Sequence, residues 1–450
     1  MRIRAKDLQP ALVFEETTQA GQADLKVYAD PSIWTSRMLT TLGNGVHGGK
    51  WYSLGDKALS VKALDAAFAR VKANGGAPGV DGWTVERFDS QKEENLLRIS
   101  SELLGGSYRP SPVKRVMIPK PGTNEKRPLG IPTVRDRVVQ SAVKAAIEPI
   151  FEQKFCDASF GFRPGRSCKQ ALRRVWLGLK AGRVFVVDVD LRRFFDTIPH
   201  EIIMRGLETE ISDGKVLSLV RSYLKQGVMS GGVWLPEAED SEEGVPQGSP
   251  LSPLLANVAL HDLDALMEEA GYELTRYADD FVILCQTREQ AEAALERVRS
   301  WTETVGLSLH PEKTRIVDYG VGQPFEFLGH AFRKGKVFPR KKSVQNIRNK
   351  IRDKTPRNSG KSLKAIIASL NPVLRGWFGY FQDCPESAFP DVDSFVRRRL
   401  RAILDIRIGK HPAHRGATAI RWPNAYFAAR GLYSMVSACK ERSTLLKANH

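Results

Sequence analysis

The fold of this chain is decided at Tyr277-Ala278-Asp279-Asp280, where two adjacent acids lie between two β-forming runs, residues 274–276 and 281–284. This arrangement predicts a hairpin that carries both carboxylates at its tip. Adjacent like charges repel, so the pair is unfavourable unless a divalent cation lies between the two groups. Mg²⁺ prefers oxygen ligands and takes only one or two protein carboxylates, which leaves room for substrate phosphates. Asp is also common in ordinary turns, so the interpretation requires a partner acid.

A partner acid follows the apolar run Arg183-Val184-Phe185-Val186-Val187-Asp188-Val189-Asp190. The run predicts a buried strand that ends in Asp190 and brings a third carboxylate beside the hairpin tip. Three carboxylates can hold two Mg²⁺ ions for in-line nucleotidyl transfer. Asp188 lies on the same face of the strand and is a competing candidate. Asp196 is expected to be a helix cap or a structural ion pair.

Composition narrows the class of protein. The chain has 450 residues, 42% hydrophobic and 26% charged, which allows two or three globular domains. It contains no run of about eighteen apolar residues, so no membrane span is expected. The basic N-terminus lacks an apolar segment, so no signal peptide is predicted. The five cysteines show no Cys-x-x-Cys spacing, which favours a reducing, cytoplasmic location without a zinc site or a disulfide framework.

The positive charge is concentrated at the C-terminal end. Residues 331–450 contain 26 Lys and Arg against 7 Asp and Glu, whereas residues 1–330 contain 42 against 44. Such an excess indicates an acidic polymer as partner, because cationic side chains release counterions from phosphates. In this context the run Arg397-Arg398-Arg399, with Arg401, is predicted to contact RNA phosphates, although such a run is often only a solvated helix face.

The local patterns mix paired strands with helices, which indicates an α+β fold. Residues 113–120 and 127–132 predict a β-loop-β flap suited to a triphosphate or a template, or else a solvated basic hairpin. Periodicity predicts helices over residues 84–104, 134–153 and 288–305. From about residue 341 the chain is predicted to be helical and basic, with Pro372 expected to kink or restart a helix.

The order of motifs resembles the family of group II intron-encoded reverse transcriptase/maturases along nearly the whole chain. The matching blocks are Gly79-Val80-Asp81-Gly82, Arg127-Pro128-Leu129-Gly130-Ile131-Pro132, Phe160-Gly161-Phe162-Arg163-Pro164, residues 190–196, residues 244–253, residues 277–280, residues 307–314, Phe327-Leu328-Gly329 and residues 370–377. The last block resembles the maturase (thumb) domain of the family.

This resemblance implies a right-hand polymerase, with fingers and a palm built on an antiparallel sheet, followed by an α-helical thumb/maturase domain. The corresponding division is an N-terminal extension at 1–75, fingers and palm at 76–335, thumb/maturase at 336–409, and a short basic segment at 410–450 whose candidate role is DNA binding. Many relatives continue into an H-N-H endonuclease with paired cysteines, and the chain resembles the bacterial type that lacks it. A mobile element of that type is expected to prime from an existing nick or replication strand.

The resemblance also implies site roles. Asp190, Asp279 and Asp280 would bind two Mg²⁺ ions and catalyse, while Asp188 becomes structural because the family's metal acid precedes its Phe by five positions, as Asp190 precedes Phe195. Phe195 would exclude the ribose 2′-hydroxyl, the group that distinguishes RNA from DNA. The remaining expected contacts are Lys120, Arg127 and Gln247 with the dNTP, and Lys313 and Arg163 with the template–primer.

The expected function is therefore an RNA-directed DNA polymerase that binds its host group II intron RNA, assists splicing and reverse transcribes the intron for retrohoming. Its expected partners are that RNA, an RNA template with a DNA primer or target DNA, and dNTPs, with no membrane. One alternative is a domesticated reverse transcriptase in defence or DNA repair. Others are a non-catalytic RNA-binding splicing factor, disfavoured because the acids and Phe195 are present, and an RNA-dependent RNA polymerase, disfavoured by Phe195.

Overall fold

Helices and short strands are intermixed along the chain. The computed structural model describes residues 28–46, 48–119, 126–235, 241–409 and 415–448. The described residues form two compact units that divide at Val317, ahead of residue 336 where the sequence-based domain division begins the helical domain. Lys120, the first predicted triphosphate contact, lies outside the described residues.

The larger unit combines helices with two four-stranded sheets. Its helices are α1 (Ser36–Asn44), α2 (Gly55–Ala58), α3 (Val61–Asn74), α4 (Val85–Ser90), α5 (Lys92–Leu104), α6 (Val134–Glu152), α7 (Cys168–Lys180), α8 (Phe194–Thr197), α9 (His200–Glu210), α10 (Gly214–Leu224), α11 (Ser252–Glu269) and α12 (Arg288–Thr304). Its strands are β1 (Val113–Pro119), β2 (Lys126–Ile131), β3 (Phe185–Asp190), β4 (Val228–Ser230), β5 (Val233–Leu235), β6 (Glu273–Tyr277) and β7 (Asp280–Cys285), followed at the division between the units by β8 (Arg315–Asp318).

The first sheet contains the two strands of the predicted β-loop-β flap. Its strand order is β2-β1-β4-β5, with β1 antiparallel to β2 and parallel to β4. The second sheet has the order β6-β7-β3-β8, and β7 is antiparallel to both of its described partners, β6 and β3. Antiparallel pairing of β3 with β7 is what brings the two acidic segments of the sequence together.

Two helices form the centre of the larger unit's apolar core. α6 and α11 have buried residues at most of their positions, and the buried set includes polar side chains such as Asp136 and Gln140 of α6 and Asn257 and Asp264 of α11. The prediction of a helix over 134–153 is thus confirmed, as is that over 288–305, now α12. The predicted helix over 84–104 is instead α4 and α5. Gln91 has φ −126° between them, and the Asn95 side chain donates a hydrogen bond of 3.2 Å to the Phe88 carbonyl.

The smaller unit combines a three-stranded sheet with helices. The sheet has the order β11-β10-β9, formed by β9 (Phe325–Phe327), β10 (His330–Arg333) and β11 (Lys336–Pro339). The helices are α13 (Lys341–Lys354), α14 (Leu363–Phe381), α15 (Pro390–Arg407), α16 (Arg415–Arg421), α17 (Asn424–Ala428) and α18 (Met435–Ala448).

Pro372 does not restart the helix, contrary to one of the two sequence-based expectations. α14 runs continuously through it, with Leu370 and Leu374 buried on either side. Proline removes one helical hydrogen bond, and burial of apolar residues before and after it holds the two halves together. In the part of the chain that the structure describes, no helix combines the length and the apolar composition needed to cross a bilayer.

Candidate functional site

The predicted acidic hairpin is confirmed in β6 and β7. Tyr277 pairs with Asp280, so Ala278 and Asp279 are the two residues of the turn. Ala278 has φ +59°, in the left-handed region that residues other than glycine seldom adopt. The sequence therefore forms a tight two-residue turn whose backbone must be held by its surroundings.

β3 brings the third acid to this turn. Asp190 is the register partner of Asp280, and Asp188 lies opposite Val282, further from the tip. Burial raises the pKa of Asp279, and the negative charge of Asp190 raises it further. The structure thus gathers Asp190, Asp279 and Asp280 at one end of the second sheet.

Residues 307–314 supply positive charge next to Asp190. The Lys313 ammonium lies 3.1 and 3.2 Å from the two carboxylate oxygens of Asp190. The same segment is fixed to the strand because the His310 amide donates a 2.8 Å hydrogen bond to the Asp190 carbonyl. Asp188 instead faces Arg315, at 3.4 Å, which agrees with a structural role. Lys313 is therefore beside a predicted metal ligand.

The donor set fits Mg²⁺. Within the described ranges, no group of three acidic, histidine or cysteine side chains is close enough to hold a metal ion by itself. Mg²⁺ does not require such a cage, since it keeps several waters and binds through one or two carboxylates plus substrate phosphates. Paired carboxylates at a strand end provide that incomplete, oxygen-only coordination.

A polar cavity of about 500 Å³ lies in the larger unit. Phe195 and Gln247 both line it, together with Arg115 and Gly130 of the first sheet. Phe195 belongs to α8, where its ring packs edge-on against that of Phe194 at 5.6 Å. The cavity is large enough for a ligand of nucleotide size. It brings together two predicted dNTP contacts, Phe195 and Gln247.

The wall of this cavity depends on a close backbone approach between β2 and residues 244–253. The Gly130 amide donates a 2.7 Å hydrogen bond to the Gln247 carbonyl. Gly248 has φ +120°, and a Cβ added there would lie 2.4 Å from the Gly130 carbonyl oxygen. Only glycine fits at this position, which explains why glycine follows Pro246-Gln247 in the block 244–253.

Arg127 is not brought to this cavity. It is exposed on β2 and lies opposite Ile118, whereas Arg115 pairs with Gly130. Side chains alternate along a strand, so Arg127 and Arg115 point to opposite faces of the first sheet. Sequence reasoning did not name Arg115 as a contact. The signal that could have found it was the alternation of side chains along the strand, counted from the position opposite Gly130.

The predicted template–primer contact of Arg163 is corrected by the structure. Its side chain is only 2% exposed, and its guanidinium binds both carboxylate oxygens of Glu152. Further hydrogen bonds of 2.7 and 2.9 Å run to the Cys156 and Ser159 carbonyls. A guanidinium engaged in this way cannot reach a nucleic acid without breaking a buried ion pair. The half-exposed neighbour, Phe162, has φ +58° and faces Tyr277 at 6.5 Å.

Sequence reasoning also missed Arg276, which directly precedes the hairpin tip. It is completely buried, and it binds Asp264 and Asn257 of α11 as well as the Ala278 carbonyl. The available signal was an arginine within an otherwise β-forming, half-apolar run, since a charged residue is rarely buried unless it is paired.

The predicted RNA-binding arginines of α15 fall into two groups. Arg399 donates hydrogen bonds to the Thr355 hydroxyl and carbonyl, and Arg401 donates to the Trp422 carbonyl and the Asn424 side chain. Arg397 and Arg398 line a polar cavity of about 560 Å³, to which Arg401 also contributes. Arg399 is therefore held by contacts within the protein, whereas the cavity combines three arginines with Asp391 and Asp405.

Comparison with known protein families identifies two domains. Residues 118–332 match "Reverse transcriptase (RNA-dependent DNA polymerase)", and residues 344–422 match "Group II intron, maturase-specific domain". The first match contains the acidic hairpin, Asp190 and both cavity residues Phe195 and Gln247. The second contains α14 and α15.

Individual relatives agree with these matches. "Protein YkfC" of Escherichia coli (strain K12) is 34% identical over 64% of this chain and 84% of that protein. "Group II intron-encoded protein LtrA" of Lactococcus lactis subsp. cremoris is 38% identical over 47% of this chain and 34% of that protein. "Putative COX1/OXI3 intron 1 protein" of Saccharomyces cerevisiae is 25% identical over 70% of this chain and 43% of that protein. The chain thus spans less than half of the length of the latter two relatives.

Proposed function

The chain belongs to the group II intron-encoded reverse transcriptase/maturase family, and we propose that it binds its host intron RNA, assists its splicing and copies it into DNA for retrohoming. Membership of this family makes it an RNA-directed DNA polymerase. The proposed setting is the bacterial cytoplasm, with an RNA template, a DNA primer or target DNA, and dNTPs as partners.

The single observation that carries the catalytic part is the meeting of Asp190, Asp279 and Asp280 at one end of the second sheet. We assign these three carboxylates as ligands of two Mg²⁺ ions. When bound, such ions activate the primer 3′-hydroxyl and neutralise charge on the incoming triphosphate. The protein's own contribution is to hold the carboxylates at a fixed spacing, because repelling acids would otherwise separate.

The nucleotide would occupy the cavity that contains Phe195 and Gln247. In this assignment the Phe195 ring lies under the sugar and leaves no space for a 2′-hydroxyl, while Gln247 contacts the sugar side of the nucleotide. Arg115 lines the same cavity and adds positive charge for phosphates, since the guanidinium fork matches phosphate oxygens. Lys313 beside Asp190 is in reach of a nucleotide or a primer terminus held by the carboxylates.

The right-hand architecture is part of this proposal. The sheet β2-β1-β4-β5 corresponds to fingers, the sheet that carries the acids to the palm, and the smaller unit's helices to the thumb and maturase domain. The basic excess of residues 331–450 supports RNA binding by the last of these. Arg397 and Arg398 are the proposed phosphate contacts, because they line a cavity together.

Two experiments test the proposal. Primer extension on an RNA template with dNTPs or rNTPs measures the chemistry and its sugar preference. Sequencing of the RNA that copurifies from native cells identifies the partner. We expect dNTP incorporation and enrichment of one structured RNA that spans the protein's own gene. Extension together with another RNA, or a diffuse mixture, would indicate a domesticated enzyme in defence or repair. Bound intron RNA without extension would indicate a non-catalytic splicing factor, and a preference for rNTPs an RNA-dependent RNA polymerase.

A further inference from the structure

A buried hydrogen-bond network lies directly behind the acidic turn. Its centre is Arg276, the residue before Tyr277, which is 0% exposed. The Arg276 guanidinium binds Asp264 in a two-pronged arrangement, with Nε donating to Oδ1 at 2.7 Å and Nη2 donating to Oδ2. Asp264 is also 0% exposed. Burial of this ion pair is tolerated because the two charges neutralise each other and the guanidinium N–H groups donate hydrogen bonds.

The third guanidinium nitrogen of Arg276, Nη1, takes no part in the ion pair and faces the turn. Arg276 Nη1 donates to the Ala278 carbonyl at 2.8 Å and to Asn257 Oδ1 at 2.9 Å. Ala278 is the residue with φ +59°, a conformation that is unfavourable for a residue with a Cβ and persists only when its surroundings hold it. Arg276 therefore fixes the peptide that directly precedes Asp279.

Asn257 extends the network to a second segment. Its Nδ2 donates to the Gly161 carbonyl at 2.8 Å. Gly161 is packed against the turn so closely that a Cβ there would lie 2.2 Å from the Ala278 nitrogen. Main-chain hydrogen bonds from Phe160 to the Arg276 carbonyl and from Arg276 to the Ala158 carbonyl join the same segment to β6. Three contacts therefore hold the acidic turn: the bond from Arg276 Nη1, the close approach of Gly161, and the main-chain bonds that join residues 158–160 to β6.

We propose that Arg276, Asn257 and Asp264 form a positioning network that fixes the hairpin carboxylates in the geometry needed to bind metal ions. An ion pair that served stability alone would be complete with Arg276 and Asp264. The additional contact of Nη1 reaches the Ala278 carbonyl directly, one residue from Asp279, and Asn257 reaches the turn through Gly161, which packs against Ala278. This inference rests on the metal assignment of the proposed function.

Two substitutions separate positioning from stability. Asn257→Ala removes the acceptor for Nη1 and the bond to Gly161, but it leaves the ion pair between Arg276 and Asp264. Arg276→Lys keeps a positive charge near Asp264 and cannot span both Asp264 and the Ala278 carbonyl. The control is Asp213→Asn, which disturbs a buried carboxylate that accepts four main-chain hydrogen bonds elsewhere in the larger unit.

The experiment measures Mn²⁺ binding to the full chain by the electron paramagnetic resonance signal of free Mn²⁺, and amide hydrogen exchange over residues 277–282. We expect Asn257→Ala and Arg276→Lys to weaken Mn²⁺ binding about 10- to 100-fold, the range typical for residues that orient metal ligands. Exchange in the turn should accelerate in both variants. In primer extension, kcat should fall by a similar factor while KM for dNTP changes little. Asp213→Asn should lower the melting temperature without any of these changes.

The proposal is overturned if Asn257→Ala loses thermal stability but keeps native Mn²⁺ affinity and native exchange in the turn. If Asn257→Ala does not fold, Arg276→Lys decides in the same way, because it loses the bond from Nη1 to the turn and keeps a positive charge beside Asp264. Failure of the metal assignment itself is distinguishable. In that case the unsubstituted protein would bind no Mn²⁺, and Asp279→Ala would give the same absence of Mn²⁺ binding. Hydrogen exchange over residues 277–282 would still report whether the network holds the turn.

Discussion

The two units of this protein use arginine in different ways. In the larger unit, Arg163 and Arg276 are buried, and each binds both oxygens of a carboxylate, Glu152 or Asp264. In the described part of the smaller unit, no arginine of α15 binds both oxygens of a buried carboxylate. Arg397 lies 3.9 Å from one oxygen of the buried Asp393, Arg399 and Arg401 bind main-chain carbonyls and polar side chains, and Arg397, Arg398 and Arg401 line an open cavity.

Arginine therefore has two different roles in this protein, one structural and one in the proposed RNA binding. Buried arginines with two-pronged carboxylate partners hold backbone segments in position, and Arg276 of the larger unit binds the acidic turn directly. Arginines that line an open cavity without a two-pronged carboxylate partner remain available to phosphates. Catalysis and RNA binding should therefore respond to substitutions in different units.

The largest expected effect is in the larger unit. Asp279→Ala removes a predicted metal ligand, so DNA synthesis should fall about a thousandfold or more, since metal ions contribute several kcal/mol to the transition state. RNA affinity, measured by filter binding, should stay within about twofold of the original protein, because the basic helix α15 is untouched. Loss of RNA binding together with synthesis would mean that the carboxylates maintain the fold and that the two units are not separate in function.

The second effect concerns stability. Glu152→Ala leaves the guanidinium of Arg163 buried without a counter-charge, and this should lower the unfolding free energy by about 3–5 kcal/mol. Urea denaturation of the full chain measures it. The matched control is Glu296→Ala, which breaks the exposed pair with Arg299 and should cost less than about 1 kcal/mol. Equal losses in the two variants would contradict a structural role for Arg163.

Sugar selectivity should depend on Phe195. Phe195→Ala opens space in the cavity, so the preference for dNTP over rNTP should fall about a hundredfold, as expected when a pocket no longer rejects a hydroxyl by its shape. Phe195→Tyr keeps the ring and should retain the preference. The ratio of kcat/KM for the two nucleotides is the measurement, and unchanged selectivity in Phe195→Ala would remove this residue as the gate.

In the smaller unit, His330 should make stability depend on pH. Burial lowers the pKa of His330 to about 4, with the imidazole bonded to the Leu328 carbonyl at 2.9 Å. The neutral form is favoured in the fold, so stability is full above the unfolded pKa of 6.5 and is lost as pH falls from there towards about 4. Between pH 7 and pH 5 the loss should be about 2 kcal/mol.

Hydrogen exchange over residues 325–339, which include the His330 strand, measures this loss at the two pH values. Glutamine cannot take up a proton, so the stability of His330→Gln should fall by about 2 kcal/mol less than that of the original protein between pH 7 and pH 5. Equal pH dependence in the two proteins would mean that protonation of His330 is not resisted by the fold.

The smallest expected effect concerns the arginines of α15. Arg397→Ala with Arg398→Ala should weaken RNA binding about tenfold and reduce the slope of log affinity against log salt by about 1.4, roughly 0.7 for each lost single-strand phosphate contact. DNA synthesis on a saturating template should be unchanged. Arg399→Ala is the contrast, because it removes bonds to Thr355 and should affect stability more than the salt slope. If Arg399→Ala reduced the salt slope and the double variant did not, Arg399 would be the phosphate contact and Arg397 and Arg398 would be structural.

The acidic hairpin, the strand that ends in Asp190 and the helices α6 and α12 could be predicted from the sequence. Each depends on residues that are close in the chain, since a period of two or 3.6 residues and a tight turn are local properties. The pairing of β3 with β7 was also within reach, because a lone acidic pair required a third carboxylate. The family followed from the order of such local motifs.

The tertiary structure alone decided which charged side chains are free and which are engaged. Arg163 was predicted to contact the template, but Glu152 and two carbonyls enclose its guanidinium. The network behind the turn joins Asn257 to Gly161, which are 96 positions apart, and no local period reports that contact. Likewise, Arg115 and Arg127 are equivalent cations in the sequence, and the sheet register puts only Arg115 into the cavity. Burial and partner choice are properties of packing between distant segments, whereas the carboxylates of the turn were specified by their neighbours in the chain.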